Sequence, residues 1–183
     1  ILKFMPNCVD YDCTELSDHL QNSCNELILG GADAVGLLTC DHQLTDPSDS
    51  AEITAEVNAG RLFIAKGVKV GIPAGSPITV GPYTAGETST TVNYERTVTL
   101  TDPNYNQDNI TFYDLAVNNK KFGGALVRLK DSDKLIWLDF TLTMDGSPIV
   151  PDDTNDAIRF ECTLKGRSKN MGNLYANSSS LFD

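Results

Sequence analysis

Positive charge is scarce in this chain. Lys and Arg number 14 against 25 Asp and Glu, and the formal net charge is −11. Affinity for a phosphate backbone rests on Lys and Arg, so this balance argues against a nucleic-acid-binding surface. It argues equally against docking on anionic lipid. Long apolar runs are also missing: no stretch approaches the ~18 apolar residues of a membrane-spanning helix. The first residues carry no secretory-leader pattern.

The motifs of common chemistries are absent too. No G-x-x-x-x-G-K-[ST] loop is present to cradle a phosphate, and no G-x-G-x-x-G follows a strand. There is no G-x-S-x-G elbow to expose a nucleophilic serine, and no H-E-x-x-H to hold zinc. Histidine is limited to His19 and His42. Aromatics are 8% of residues, and the single Trp137 lies inside the apolar run "KLIWLDF". A carbohydrate-binding module needs aromatics on an exposed flat face and is therefore disfavoured. Nothing singles out an enzyme, and no catalytic, cofactor-binding or metal-ligating residue is assigned.

Five cysteines are present, Cys8, Cys13, Cys24, Cys40 and Cys162. None forms a C-x-x-C pair. The first four keep open a zinc site or one disulfide, but an odd count spread over the chain is not a disulfide framework. Cys162 alternates with polar neighbours in "IRFECTLKG" and reads as a small hydrophobe on the apolar face of a strand. Cys40 and His42 lie two apart in "TCDHQ", a spacing that shares a face in a strand; coincidence at a strand end is the preferred reading over a nucleophile–base pair. The acidic loops "DPSDSAE" and "PDDTNDA" hold oxygen ligands of the kind calcium takes, yet neither has the D-x-D-x-D-G ladder, so both read as turns.

What the chain does have is β pattern. At 40% hydrophobic and 21% charged it can bury a core. Residues 1–32 are irregular, with a short helix at 14–20. Gly30-Gly31 breaks the chain before "AVGLLTC", a buried strand. "DPSDSAEITAEVNAGRLF" predicts a helix capped by Asp49 or Ser50 and stopped by Gly60. "RLFIAKGVKVGIP" and "SPITVGP" read as strands. "TSTTVNYERTVTLTD", residues 88–102, is the longest strand signal. Val92, Tyr94, Val98 and Leu100 share one face, with Arg96 the exception, and Asn93, Glu95, Thr97, Thr99 and Thr101 share the wet face. A second helix is expected at 106–118, ended by Asn118-Asn119 before a flexible Gly123-Gly124 pair. Two strands then flank the turn Asp131-Ser132-Asp133. "FTLTM" puts Phe140, Leu142 and Met144 on one face, and Asp145-Gly146 signals a turn. Pro148 and Pro151 interrupt the chain before a strand at 157–165.

Strands without regular βαβ alternation predict a mainly β protein: an antiparallel β-sandwich or barrel with one or two flanking α-helices. The expected organisation is a cysteine-containing segment, 1–45, packed on or leading into the core; a β domain with its helix, 46–168; and a C-terminal arm, 169–183.

The run "ALVRLKDSDKLIWLDFTLTMDGSPIVPDDTNDAIRFECTLKGRS" resembles tail tube proteins of tailed bacterial viruses. The likeness is carried by a hairpin with Trp137 and Phe140, a turn from Gly146 to Asp153, and a last strand with Ile158, Phe160, Leu164 and Gly166. With the helix at 106–118 it covers residues 88–168. The resemblance implies a virion structural protein assembled in the host cytoplasm. Its partners would be other copies of itself, joined edge to edge in rings that are commonly hexameric, and other virion proteins. DNA would be passing cargo, and no membrane is involved. The acidity then suits a channel wall that repels phosphate, with Glu95 a candidate lumen residue, and "AGSPITVGPYTAGETS" is a candidate contact between stacked rings. Within the same class stands another capsid or neck component; outside it, a secreted or surface binding module.

Overall fold

A computed structural model describes residues 31–81, 90–119, 121–130, 133–152, 156–170, 172–177 and 179–182. The expected helix at 14–20 and Cys8, Cys13 and Cys24 lie outside the described residues. Nine strands and two helices follow in the order β1 (Ala32–Thr39), α1 (Ser50–Asn58), β2 (Leu62–Gly71), β3 (Ser76–Val80), β4 (Thr90–Asp102), α2 (Gln107–Asn119), β5 (Lys121–Leu129), β6 (Lys134–Leu138), β7 (Leu142–Ile149), β8 (Arg159–Arg167) and β9 (Asn173–Ala176). The protein is mainly β. Six strands, β1-β2-β4-β8-β7-β5, close into an antiparallel barrel through the β1–β5 ladder. Of the two expected architectures it is the barrel, with both helices present.

The extra strands sit outside the ring. β6 pairs with β5, and β9 pairs with β6. β3 pairs with β4 alone. β4 is held by β8 from Glu95 to Asp102, but from Tyr94 back to Thr90 its ladder partner is β3. The β3–β4 hairpin therefore projects beyond the barrel.

Two apolar cores result. The barrel interior packs Val35, Leu37, Val98, Leu100, Val127, Leu142, Phe160, Cys162 and Leu164, and Tyr113 and Ala116 of α2 close one mouth. The second core lies outside the ring. There Ala34, Leu38, Leu62, Leu126, Leu135 and Trp137 are covered by Ile53 of α1 and by Phe182. β1 contributes to both, which is why "AVGLLT" reads as an unbroken apolar run instead of an alternating one. α1 forms as the sequence predicts: Asp49 caps it by accepting the Ala51 amide at 2.8 Å, and Gly60 ends it at φ 68°.

Several expectations are corrected. Gly123 and Gly124 are not a flexible link but part of β5. The register slips between Leu38 and Thr39 opposite them, leaving Gly123 as an extra residue in a bulge. A Cβ on Gly123 would lie 2.8 Å from the His42 carbonyl oxygen, and one on Gly124 would overlap the Trp137 ring. Asp145-Gly146 is not a turn. Both lie in β7, opposite Thr163 and Cys162, and a Gly146 Cβ would meet Cys162 Cα at 2.7 Å. Glycine is needed there for close strand approach, not for a reversal. Pro148 does not interrupt the strand either; it pairs with Phe160. Among the described residues, β7 meets β5 only at Leu142 and Thr143, so Pro148 occupies an edge where its missing N–H costs no ladder bond. Arg96, the charged exception on its face, is buried with Val98 and Leu100, whereas Val92 of that face is exposed.

The ends of the chain also differ from expectation. β1 starts at Ala32, inside the segment 1–45 expected to pack on or lead into the core. The C-terminal stretch is no arm: β9 joins the sheet, and a 3-10 turn at Ser180–Phe182 buries Phe182 to 1% exposure, with the Arg128 guanidinium donating to its carbonyl. One residue with few sequence neighbours to report its burial was enough to hide this contact. Phe182→Ala should destabilise the fold by about 3–5 kcal/mol in urea denaturation, as for other buried aromatics. A cost below about 0.5 kcal/mol, the range of surface changes, would return the tail to the status of an arm.

Candidate functional site

The inward face of β4 runs Val98, Leu100, Asp102. A carboxylate at the third position ends up 2% exposed at the barrel mouth, where an isolated charge would be costly. Pro103 ends the strand, and the following "NYNQDN" turns back over the mouth. Asn106 caps α2, its Oδ1 accepting the Asn109 amide at 2.9 Å. This turn and α2 together deliver four donors to Asp102. The backbone N–H and the Nδ2 of Asn104 reach Oδ1, each at 2.8 Å. Asn109 Nδ2 at 3.1 Å and the Tyr113 hydroxyl at 2.8 Å reach Oδ2. Tyr113 also stacks on Phe160 at 4.4 Å between centroids, and Tyr105 stacks on Phe160 at 5.2 Å.

Beside this cluster lies a cleft of about 650 Å³ between β2, the end of α1 and α2. Its walls are Phe63, Ala65 and Phe112, and its polar floor is Asp102, Asn104 and Asn109. The chemistry of the floor is restricted. Both carboxylate oxygens of Asp102 are occupied by neutral donors, which satisfies its charge without a cation and leaves it poorly placed as a base or metal ligand. Burial first, and the bond to Asp102 second, push the Tyr113 phenol far above its ordinary value. The cluster works as a clamp that fastens α2 over the barrel mouth.

The residues singled out in the sequence do not converge on this clamp. Cys40 and His42 sit in a turn after β1, so strand geometry does not set their faces. The Cys40 thiol is exposed and its one polar contact is a weak approach to Asp41 Oδ1 at 3.5 Å. Cys162 is buried, and burial, with the charges of Asp102 and Asp145, pushes its thiol up to about 11. Such a thiol is inert as a nucleophile at neutral pH. In "DPSDSAE" the carboxylates are spent on the backbone: Glu52 accepts the amides of Thr45 and Asp46 at 2.7 and 2.8 Å, and Asp46 accepts Ser48 N at 2.9 Å. In "PDDTNDA", Asp156 pairs with Arg159 at 3.1 Å. Among the described residues, no three His, Cys, Asp or Glu side chains come together to hold a metal.

Glu95 is exposed on the wet face of β4, opposite Arg167 of β8. That face continues over β8 and β7 with Thr163, Lys165, Glu161, Thr143 and Asp145. Its carboxylates thus stand among basic residues, so the acidity of the chain is not concentrated there.

The clamp was missed in the sequence, although one signal pointed to it. Asp102 occupies the apolar parity of its strand and is followed by Pro-Asn. A carboxylate at a core position beside turn-forming asparagines is a buried, hydrogen-bonded carboxylate in waiting.

Two outcomes are expected. Tyr113→Phe should cost about 1.5–3 kcal/mol, the range for a hydrogen bond to a buried charge, by urea denaturation. A cost near zero would remove the hydroxyl from the clamp. Cys162 ionises at about 11 in the fold, against 9.0 for an unperturbed thiol. The unfolded chain therefore loses this proton first, so stability is full below pH 9 and falls as pH rises toward 11, by about 2–3 kcal/mol. Cys162→Ala should flatten that slope, with Tyr113 contributing at higher pH; an unchanged slope would refute the assignment. No family model, curated protein or solved structure matches the chain.

Proposed function

We propose that the chain is a self-assembling structural subunit of a virion, of the tail tube type, whose copies join through open strand edges. The observation that carries this reading is the chemistry of those edges. Among the described residues β3 pairs only with β4, and β9 only with β6, so each has one unpaired edge. Soluble sheet proteins protect such edges with charges or very short strands. Both edge strands are short, at five and four residues, and β3 holds Pro77, but "SPITV" and "NLYA" contain no charged residue. Three exposed aliphatics stand at the same places: Val80 and Val92 on the projecting hairpin, at 38% and 40% exposure, and Leu174 on β9, at 52%. An edge that is apolar and open is an aggregation hazard in a monomer and an assembly device in a closed ring.

The resemblance to tail tube proteins over residues 88–168 supports the same reading. In such a ring the β3–β4 hairpin would carry contacts between stacked rings, and the net charge of −11 would keep passing DNA from adhering to the wall. A second reading, a surface binding module, is favoured by the 650 Å³ cleft at the barrel mouth.

Negative-stain electron microscopy across a concentration series separates the two. Rings or hollow tubes are expected from the parent protein. The double variant Val80→Lys with Val92→Lys should fail to form tubes while folding normally, since both sites are exposed and a surface change stays within about 0.5 kcal/mol. A parent protein that is monomeric at every concentration, or a variant that assembles as readily, would sink the assembly reading.

A further inference from the structure

Arg96 has the opposite circumstances to Asp102. It sits on the same inward face of β4, six residues earlier, or roughly 20 Å along the strand, at the other end of the barrel interior. It is 8% exposed. Its Nε is buried and has no hydrogen-bond partner. Its Nη2 reaches the Lys169 carbonyl only at 3.5 Å, the limit of a hydrogen bond, and the guanidinium carbon lies 4.8 Å from the Tyr94 ring centroid. No carboxylate among the described residues pairs with it. A buried guanidinium is ordinarily matched to an anion, often through two parallel N–H bonds. In a chain with 25 acidic residues, leaving this one unmatched is a specific arrangement.

Arg96 lines a cavity of about 280 Å³ whose other walls include Ile72, Pro73, Leu138 and Phe140. The loop between β2 and β3 is shaped to leave the guanidinium its room: a Cβ on Gly75 would stand 2.6 Å from Nη1. The cavity is small, near the lower end of ligand-sized pockets. Arg96 is its one charged lining residue, and most of the others are apolar.

We propose that this cavity is a binding site for a small organic carboxylate, with the carboxylate paired to Arg96 and a short aliphatic or aromatic body against Leu138 and Phe140. The guanidinium supplies recognition of the charge, and the walls reject a strongly hydrated inorganic anion. The site is independent of the assembly reading, since it needs no second copy.

The test uses the full chain and two probes of one shape, hexanoate and its neutral counterpart hexanamide. Hexanoate should raise the melting temperature saturably, as a ligand of the folded state does, and bind at least about tenfold more tightly than hexanamide in calorimetry. Arg96→Met should melt no lower than the parent, because an uncompensated buried charge is replaced by a chain of similar length, and its melting temperature should not respond to hexanoate. Equal effects of hexanoate and hexanamide on the parent overturn the proposal, as does no effect of hexanoate at ~10 mM, well above the range of specific small-ligand affinities. A hexanoate shift that survives in Arg96→Met overturns it too. The comparison of the two probes on the parent decides the matter even if the variant fails to fold.

Discussion

The β1–β5 ladder is the constraint on which the rest of the structure depends. It runs from Ala32 opposite Leu129 to Thr39 opposite Phe122 and turns an open sheet into a ring. The same strand, β1, is paired on both edges and buried on both faces. Its odd-numbered side chains Val35 and Leu37 fill the interior, while Ala34 and Leu38 found the outer core. Remove that ladder and each core loses a wall. The outer helix α1 and the C-terminal turn would then have nothing to cover. The Gly123 bulge adjusts this junction, moving β5 from Phe122 facing inward to Leu126 facing outward within one strand.

The barrel interior is closed at its two ends by unlike charges on one strand face. Asp102 accepts four hydrogen bonds from neutral donors of a single turn and helix. That arrangement costs the fold little and makes the α2 end rigid. Arg96 receives no equivalent set. The asymmetry gives the molecule one finished end and one end with unmet hydrogen-bonding capacity, and the projecting hairpin springs from the unfinished end.

Much of the architecture was legible in the sequence, for physical reasons. Period-two alternation in "IRFECTL" and "VTLTD" reported half-buried antiparallel strands, and Asp49 with Gly60 bracketed α1 with capping chemistry. The failures share a cause. Gly123, Gly124, Asp145, Gly146 and Pro148 all carry local turn propensity, yet each sits in a strand because a tertiary neighbour, such as Trp137, Cys162 or Phe160, demanded closeness or tolerated a missing donor. Local rules cannot see the neighbour. Phe182 and the clamp around Asp102 were hidden in the same way, since each is an isolated residue whose role depends on chain far away in sequence. Arg96 was visible as an oddity on an apolar face, but only the fold gave it a cavity.

The ladder that closes the barrel also sets the order in which the chain can finish folding. β1 is made before β5, and its β5 partners lie on the order of 90 residues further on. Until β5 is made, β1 has β2 on one edge only, and the apolar side chains on both of its faces await their cores. Closing so long a loop is entropically slow and rewards the chain only at the end. Barrel closure is thus the late step of folding, and an incomplete chain holds exposed, edge-open strands for the whole of that interval.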